Sequence, residues 1–268
     1  TAYTICSQTP TKYLSGSYSS QTFYVNVTIN GESTFDQCTF SGNVTINGNS
    51  TFDSCQFGGG SVIDVKIDGN ADVTLTGTTN IHDTLTIEEG STLTNSGTLS
   101  CGSAVIQINY LSTNPVSIPA PIPAAISVYG KLTNDNKHSI IYAYPNIGFD
   151  PGASNPFLAG NGIELKKGGS KGGSCTNSGH IYNGITYGSP NGPNPINQMF
   201  PNGFPTFLTL ETNSSLSNND TGIINGDFDL ETGSSLTNNG TINGNINQEA
   251  GSTFINNGTI NEPSNNQS

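Results

Sequence analysis

The sequence is poor in charge, and it lacks arginine and tryptophan altogether. Only 10% of its 268 residues are charged, all seven basic residues are lysine, and 19 acidic residues bring the formal net charge to −12. Such a chain has no basic patch with which to neutralise a phosphate backbone, so a nucleic-acid partner is not expected. No apolar run of about 18 residues and no basic amphipathic helix occur, so membrane insertion is not expected either.

Helical periodicity and metal-binding spacing are also missing. No window repeats its apolar residues every 3.6 positions, and β-branched residues and glycine dominate. The five cysteines include no C-x-x-C pair, which argues against a zinc site. A first residue Thr1 and a single methionine, Met199, are expected for a mature chain from which a targeting segment has been removed.

A short unit recurs along much of the chain. TFINNGTI at 253–260 is nearly repeated by SLTNNGTI at 235–242, SLSNNDTGI at 215–223 and TLTNSGTL at 92–99. Upstream, two apolar residues flank one polar residue in segments that start at Val27, Val44, Val65 and Leu85, with spacings of 17, 21 and 20 residues. The apolar pair is expected to point inward, and the glycine that follows is expected to turn the chain with a positive φ.

A repeat of this length predicts a solenoid. We expect an all-β, right-handed parallel β-helix with three short strands per coil and about eight coils. Residues 1–20 are interpreted as an N-terminal cap or donated strand, 21–109 as the first block of coils, 110–205 as one loop-rich insertion, 206–262 as the second block and 263–268 as a polar tail.

The insertion differs from the remainder in composition. It holds twelve of the 14 prolines, six of the ten tyrosines and five of the seven lysines. A long aromatic loop inside a compact domain is usually functional or covers a surface. Its aromatic residues are predicted either to form a platform for sugar rings or to pack the insertion onto the rod. They are Tyr110, Tyr129, Tyr142, Tyr144, Phe149, Phe157, Tyr182 and Tyr187.

Four cysteines are disulfide candidates. Cys38 and Cys55 occupy the same place in successive coils, where the rung spacing suits a bridge, but two reduced inward thiols fit equally well. A bridge between Cys101 and Cys175 would hold the insertion against the rod. Cys6 is the one left over.

Two columns of polar residues are expected on the rod. Glu211, Glu231 and Glu249 each follow a coil-starting residue, and like charges on neighbouring rungs repel. They are interpreted as a Ca²⁺ site, as protonated carboxyls, or as solvated side chains that splay apart. Outward threonine columns resemble those of ice-binding β-helices, although Lys66 interrupts one of them.

Potential N-glycosylation sequons favour an extracellular location, at a cell or virion surface. The candidate asparagines are Asn26, Asn43, Asn49, Asn213, Asn219, Asn239 and Asn257. A further sequon falls in the tail at Asn266.

A β-helix with a long aromatic insertion resembles the cellulose-binding tāpirin adhesins of thermophilic bacteria. The resemblance is one of architecture, and it implies adhesion to carbohydrate. The leading prediction is therefore an extracellular surface protein that binds glycan through its insertion and has no cofactor. One alternative is a structural subunit of a filament, sheath or viral fibre whose copies associate through the solenoid ends. The other is a carbohydrate-active enzyme; catalysis is disfavoured because the coil faces offer no arginine and no convergent carboxylates.

Overall fold

The protein is a parallel β-helix in which every described element is a strand. The structure is a computed structural model, and it describes residues 11–58, 63–102, 124–144, 147–149, 157–159, 161–169, 171–183 and 207–262. Neighbouring strands pair in parallel with the equivalent strand of the next coil, and the third strands alone form a ten-stranded sheet. The described residues thus form ten coils rather than about eight, a rod of about 48 Å at about 4.8 Å per coil. No described segment is a helix that could cross a membrane.

The first two coils contain long strands that bend through a corner. They consist of β1 (Thr11–Ser19), β2 (Thr22–Phe23), β3 (Asn26–Asp36) and β4 (Thr39–Phe40). The next three coils have three strands each: β5 (Val44–Ile46), β6 (Ser50–Asp53), β7 (Gln56–Phe57), β8 (Ile63–Ile67), β9 (Asp72–Thr76), β10 (Thr78–Ile81), β11 (Asp83–Ile87), β12 (Thr92–Asn95) and β13 (Thr98–Cys101).

The second half repeats this arrangement in five coils. Its strands are β14 (Ile126–Val128), β15 (Lys131–Asn134), β16 (Ile140–Ala143), β19 (Ile163–Leu165), β20 (Ser174–Asn177), β21 (His180–Asn183), β22 (Phe207–Leu210), β23 (Ser215–Asn218), β24 (Ile223–Asn225), β25 (Asp227–Leu230), β26 (Ser235–Asn238), β27 (Thr241–Asn243), β28 (Ile246–Gln248), β29 (Thr253–Asn256) and β30 (Thr259–Asn261). A separate antiparallel pair, β17 (Ile147–Phe149) and β18 (Phe157–Ala159), lies between β16 and β19 in the chain.

The predicted boundaries need correction in one place. Residues 124–183, expected within one insertion, contain two complete coils whose strands pair in register with the coils on either side. They keep the inward apolar positions of a coil, but long connections separate them and hide the repeat from a search by spacing. The segment 1–20, predicted to be an N-terminal cap or strand, contains β1, which pairs with β3.

The core of the N-terminal coils is a double column of aromatic rings. Phe35 stacks on Phe52 with ring centroids 4.9 Å apart, and Phe40 stacks on Phe57 at 4.8 Å. All four rings are at most 1% exposed. Because parallel in-register pairing places equivalent residues one above the other, the repeated S-T-F at 33–35 and 50–52 produces the stack of Phe35 on Phe52. The repeated C-x-F at 38–40 and 55–57 produces the stack of Phe40 on Phe57.

Beyond these coils an asparagine ladder replaces the phenylalanine column. Leu75 lies above Phe52, and Asn95 follows it in the next coil. From there, each Asn Nδ2 donates to the Oδ1 of the next asparagine at 2.8–2.9 Å. All members except the last are 0% exposed, which shows that the amides satisfy one another inside the core. The ladder consists of Asn95, Asn134, Asn177, Asn218, Asn238 and Asn256.

Glycine serves two different purposes at the coil corners. The predicted positive φ occurs at Gly69 (+65°) and Gly90 (+84°). The prediction is wrong at Gly31 and Gly48, which have no positive φ. Gly48 is required there for another reason: a Cβ on it would lie 2.6 Å from the Gly31 carbonyl oxygen of the preceding coil.

The four described cysteines are buried free thiols, which corrects the disulfide prediction. Cys38 and Cys55 follow the reduced alternative, with each Sγ 3.4 Å from a backbone carbonyl oxygen two residues earlier. Cys101 and Cys175 cannot fix an insertion to the rod, because both are inward residues of the rod itself, on a third and a second strand. Burial raises the pKa of the Cys175 thiol to about 12.

Candidate functional site

A cluster of aromatic side chains stands on the outer face of the third strands. In this sheet Tyr142 of β16 pairs with Tyr182 of β21, so the two side chains occupy one outward column on adjacent coils. Ser100 precedes them in the column and Asn225 follows them. Tyr144 lies just beyond the end of β16, beside Tyr142. We call Tyr142, Tyr144 and Tyr182 the tyrosine cluster.

The three rings are nearly parallel. The ring centroids of Tyr142 and Tyr182 are 5.0 Å apart with an interplanar angle of 16°, and those of Tyr142 and Tyr144 are 6.1 Å apart at 7°. The His180 ring lies 6.4 Å from that of Tyr182, also at 16°. Tyr144 is 38% exposed, while Tyr142 and Tyr182 are partly buried. Stacking against each other holds the rings upright on the sheet surface.

The surroundings of the cluster are uncharged and partly apolar. In the column of Tyr142 and Tyr182 the rings are flanked by the short side chains of Ser100 and Asn225, which are too small to cover a tyrosine ring face. Ile140 and Ile223 flank His180 in the neighbouring outward column and are themselves only partly buried. No Asp, Glu or Lys occurs in β13, β16, β21 or β24. A surface of aromatic and aliphatic groups beside hydroxyl and amide groups suits a neutral ligand with both C–H faces and hydroxyls.

The Tyr144 phenol stays a protonated hydrogen-bond donor. Burial, and secondarily the neighbouring Tyr142 phenol, raise the pKa of Tyr144 above its usual range. Tyr144 therefore adds no negative charge to the cluster at neutral pH, and tyrosine hydroxyls can both donate and accept hydrogen bonds.

The other predicted aromatic residues lie elsewhere. Tyr129 follows β14, at the corner between the first and second strands of its coil. Lys166 occupies the same corner position in the next coil, so Tyr129 belongs to a different column from the tyrosine cluster. Phe149 and Phe157 are paired residues of β17 and β18. Tyr110 and Tyr187 lie outside the described residues. The structure thus brings together three of the eight candidates.

Sequence analysis missed His180, Ile140 and Ile223, which line the same face. The signal that would have found them is the tripeptide before each third strand: Leu-Thr-Asn at 132–134 and Cys-Thr-Asn at 175–177 repeat the Leu-Thr-Asn of 236–238. Aligning these asparagines predicts that 140–143 and 180–183 are third strands. It also predicts that Tyr142 and Tyr182 share a column.

The glutamate column does not form a calcium site. Glu211 accepts hydrogen bonds from the Lys166 ammonium at 2.9 Å and from the Lys167 N–H at 2.8 Å, and Glu249 accepts from the Thr232 N–H at 3.1 Å. Burial alone would raise the pKa of Glu211, but these hydrogen bonds outweigh it and hold the pKa below its usual range. Among the described residues no group of three or more His, Cys, Asp or Glu side chains could hold a metal ion.

Glu231, the middle residue of that column, differs from its neighbours. Burial raises the pKa of its carboxyl, and the charge of Glu211 adds to the effect. Lys166 lies between Glu164 and Glu211, and hydrogen bonds to both keep its pKa high although burial opposes this. Glu211, at one end of the column, thus belongs to an ion-pair network with Lys166 and Glu164, while Glu249 accepts hydrogen bonds from Thr232.

The second strands present a hydroxyl column that is longer than predicted. It lies beside a polar groove of about 500 Å³ near Glu32, Thr51 and Asp72. Because the side chains are in register, they form a regular polar surface on a different face from the tyrosine cluster. The column consists of Ser17, Thr34, Thr51, Thr74, Thr94, Thr133, Thr176, Ser217 and Thr237.

The sequon asparagines lie on the outside of the rod. Asn43, Asn49, Asn213 and Asn257 are exposed, whereas Asn26, Asn219 and Asn239 are partly buried. Several of these side chains bond to the next coil; Asn43 Oδ1, for example, accepts from the Asp64 N–H at 3.1 Å. Glycosylation stays a prediction.

Comparison with known proteins adds nothing to this description. No family model, no curated protein and no solved structure matches the chain. The functional argument therefore starts from the geometry of the tyrosine cluster.

Proposed function

We propose that this protein is an extracellular surface protein that binds carbohydrate through the tyrosine cluster. The observation that carries the proposal is the parallel arrangement of Tyr142, Tyr144 and Tyr182 on one outer face of a rigid β-helix. Ring faces of this kind stack on the C–H face of a pyranose, while the phenol and amide groups around them reach its hydroxyls. Binding groups held on a rigid scaffold lose little entropy on association.

The ligand class that fits best is a neutral polysaccharide. The chain carries a formal net charge of −12 and would repel a uronate or sulfated polymer. The outward positions around the cluster contain histidine but neither lysine nor arginine to offset that charge. The inner faces of the Tyr142 and Tyr182 rings cover each other at 5.0 Å, so a sugar ring would stack on an outer face, beside Ser100 or Asn225.

Retention on insoluble cellulose, chitin and xylan would test the proposal. The chain has no tryptophan, so tyrosine fluorescence with soluble fragments of the retained polymer gives an independent binding curve. Tyr182→Ala removes one ring face, which contributes about 1.5 kcal/mol, and we expect roughly tenfold weaker binding. Tyr142→Ala should have a similar effect.

Tyr24→Ala is the matched control. Tyr24 follows the third strand of the first coil, just as Tyr144 follows the third strand five coils later, so the two residues occupy equivalent positions. Tyr24 is 79% exposed. Its removal should leave binding unchanged. No retention on any of the three polymers, or equal losses for Tyr24→Ala and Tyr182→Ala, would refute a carbohydrate site at the cluster.

A further inference from the structure

The two outer faces of the tyrosine cluster are not equivalent. Tyr142 is in ring contact with both Tyr144 and Tyr182. The described rings near Tyr182 are those of Tyr142, in the preceding coil, and of His180, in the same strand. In the next coil Asn225 occupies the rung after Tyr182. Since asparagine is much shorter than tyrosine, the distal half of this ring face stands open above the amide.

An asparagine ladder on the outer surface fixes the orientation of the Asn225 amide. Asn243 Nδ2 donates to Asn225 Oδ1 at 2.8 Å, and Asn261 Nδ2 donates to Asn243 Oδ1 in the same direction, also at 2.8 Å. The Asn225 oxygen is therefore turned toward the next coil and its Nδ2 toward Tyr182. Asn225 is the last member of this ladder, and its Nδ2 donates to none of the described residues. Toward Tyr182 the amide thus offers only N–H donors.

An aliphatic side chain lies beside these donors. Ile223 and Asn225 both point outward from β24, because the Ile224 between them is 0% exposed. Alternate residues of a strand are about 6.8 Å apart on the same face. Ile223 is only partly buried and follows His180 in its column. We call the space over Asn225 and Ile223, against the open face of Tyr182, the Asn225 subsite.

The Asn225 subsite restricts which sugar substituent fits it. The complementary group carries a carbonyl acceptor for the amide and a methyl group for Ile223, close together and attached to a pyranose. A hydroxyl group can accept from the amide, but it leaves Ile223 without an apolar partner. An acetamido group supplies both the carbonyl oxygen and the methyl group from one carbon atom. It is also neutral, as suits strands β16, β21 and β24, which contain no Asp, Glu or Lys.

We propose that the tyrosine cluster recognises a polymer of N-acetylated amino sugars. The sugar ring stacks on Tyr182, its acetamido oxygen accepts from Asn225 Nδ2, and its methyl group packs against Ile223. Asn225 is then the residue that determines specificity. This inference rests on the proposed carbohydrate-binding function, which it narrows to one class of ligand.

Two tetrasaccharides test the inference on the full chain. Cellotetraose and chitotetraose have the same linkage and differ in one substituent of each ring, a hydroxyl against an acetamido group. Tyrosine fluorescence or titration calorimetry measures both affinities, and we expect chitotetraose to bind at least tenfold more tightly. Ile223→Ala should weaken its binding about fourfold, because it removes part of the methyl contact.

Asn225→Asp is the decisive variant. It keeps an oxygen to accept from Asn243, but it replaces the donor with a carboxylate oxygen that faces the acetamido oxygen. Because two acceptors cannot share a hydrogen bond, chitotetraose should bind at least tenfold more weakly. Cellotetraose should change less than threefold, since its hydroxyls can donate to the carboxylate.

Asn43→Asp is the matched control on another face of the rod. Asn43 is exposed, its Oδ1 accepts from the Asp64 N–H at 3.1 Å, and the variant adds the same charge while keeping that oxygen. Both affinities should stay within twofold, and circular dichroism checks that each variant folds. Equal affinity for the two tetrasaccharides, both weakened by Tyr182→Ala, would refute acetamido recognition and leave the carbohydrate site standing. Binding of neither would refute both proposals, and equal losses for Asn225→Asp and Asn43→Asp would overturn the role of Asn225.

Discussion

The asparagine ladder makes a quantitative prediction for Asn177→Leu. Asn177 lies in the middle of the ladder at 0% exposure; its Oδ1 accepts from Asn134 at 2.8 Å and from the Gly179 N–H at 3.2 Å. Its Nδ2 donates to Asn218 at 2.8 Å. Leucine has a similar volume but makes none of these bonds. Asn134 keeps carbonyl acceptors, including that of His180 at 3.2 Å, so its amide group is not left without a partner.

Two groups lose partners in this variant: the Gly179 N–H and the Asn218 Oδ1. Each buried unpaired group costs about 1–3 kcal/mol, and the added apolar burial returns about 1–2 kcal/mol. We therefore expect a net loss of about 1–4 kcal/mol in the free energy of unfolding. Urea denaturation followed by circular dichroism, with equal slopes for variant and wild type, measures it.

Asn256→Leu is the internal control for this prediction. The residue is exposed, and Asn238, its donor, retains the Thr259 carbonyl at 3.2 Å. The expected loss is below about 1 kcal/mol. If the central and terminal substitutions cost the same, or if Asn177→Leu costs less than about 1 kcal/mol, the ladder bonds do not stabilise the core as argued.

Two further predictions concern titratable groups. Burial, with a smaller contribution from the charge of Asp64, raises the pKa of Asp83 to about 6. The stability that the protonated Asp83 carboxyl contributes is therefore complete below about pH 4 and is lost as the pH rises through 6. Asp83→Asn should stabilise the protein by about 1–2 kcal/mol at pH 7, allowing for solvent screening, and by nothing at pH 3.5; a constant difference between the two pH values would contradict this. The four described thiols should react with a thiol reagent only after unfolding, and a missing pair of thiols in denaturant would reveal a disulfide.

Sequence reasoning identified the coil and its facing pattern but not the number of coils. The apolar pair at Val44 and Ile46 recurs at Val65 and Ile67 in register, so spacing alone predicts parallel stacking there. Where the connections between coils lengthen, spacing fails. Leu132 and Cys175 are aligned rungs, yet they are 43 residues apart in the chain.

The tyrosine cluster illustrates the same limit. Composition was sufficient to propose aromatic residues as the binding groups, but it could not say which of them meet. Tyr142 and Tyr182 come together because β16 and β21 are in register. By contrast, Tyr129 is equally aromatic but belongs to a different corner. Only the register of the coils distinguishes these cases.

The asparagine ladder begins where the connections between coils no longer fix which residues of successive coils pair. In the first coils the stacked phenylalanines recur after 17 residues, from Phe35 to Phe52, and a short connection leaves little freedom to slip. The first three ladder bonds instead join residues separated by 39, 43 and 41 positions.

Apolar side chains tolerate a shifted partner, whereas a buried amide does not, because a shift would leave its donor and acceptor unpaired. The chain therefore uses stacked rings where covalent connection already fixes the register. The amides begin where the connections lengthen, and the ladder then continues through the shorter C-terminal coils, from Asn218 to Asn238 and Asn256. Among the described residues, none donates a hydrogen bond to the buried Oδ1 of Asn95, since Leu75 precedes it in the column. Asn95 therefore marks the rung at which one means of alignment gives way to the other.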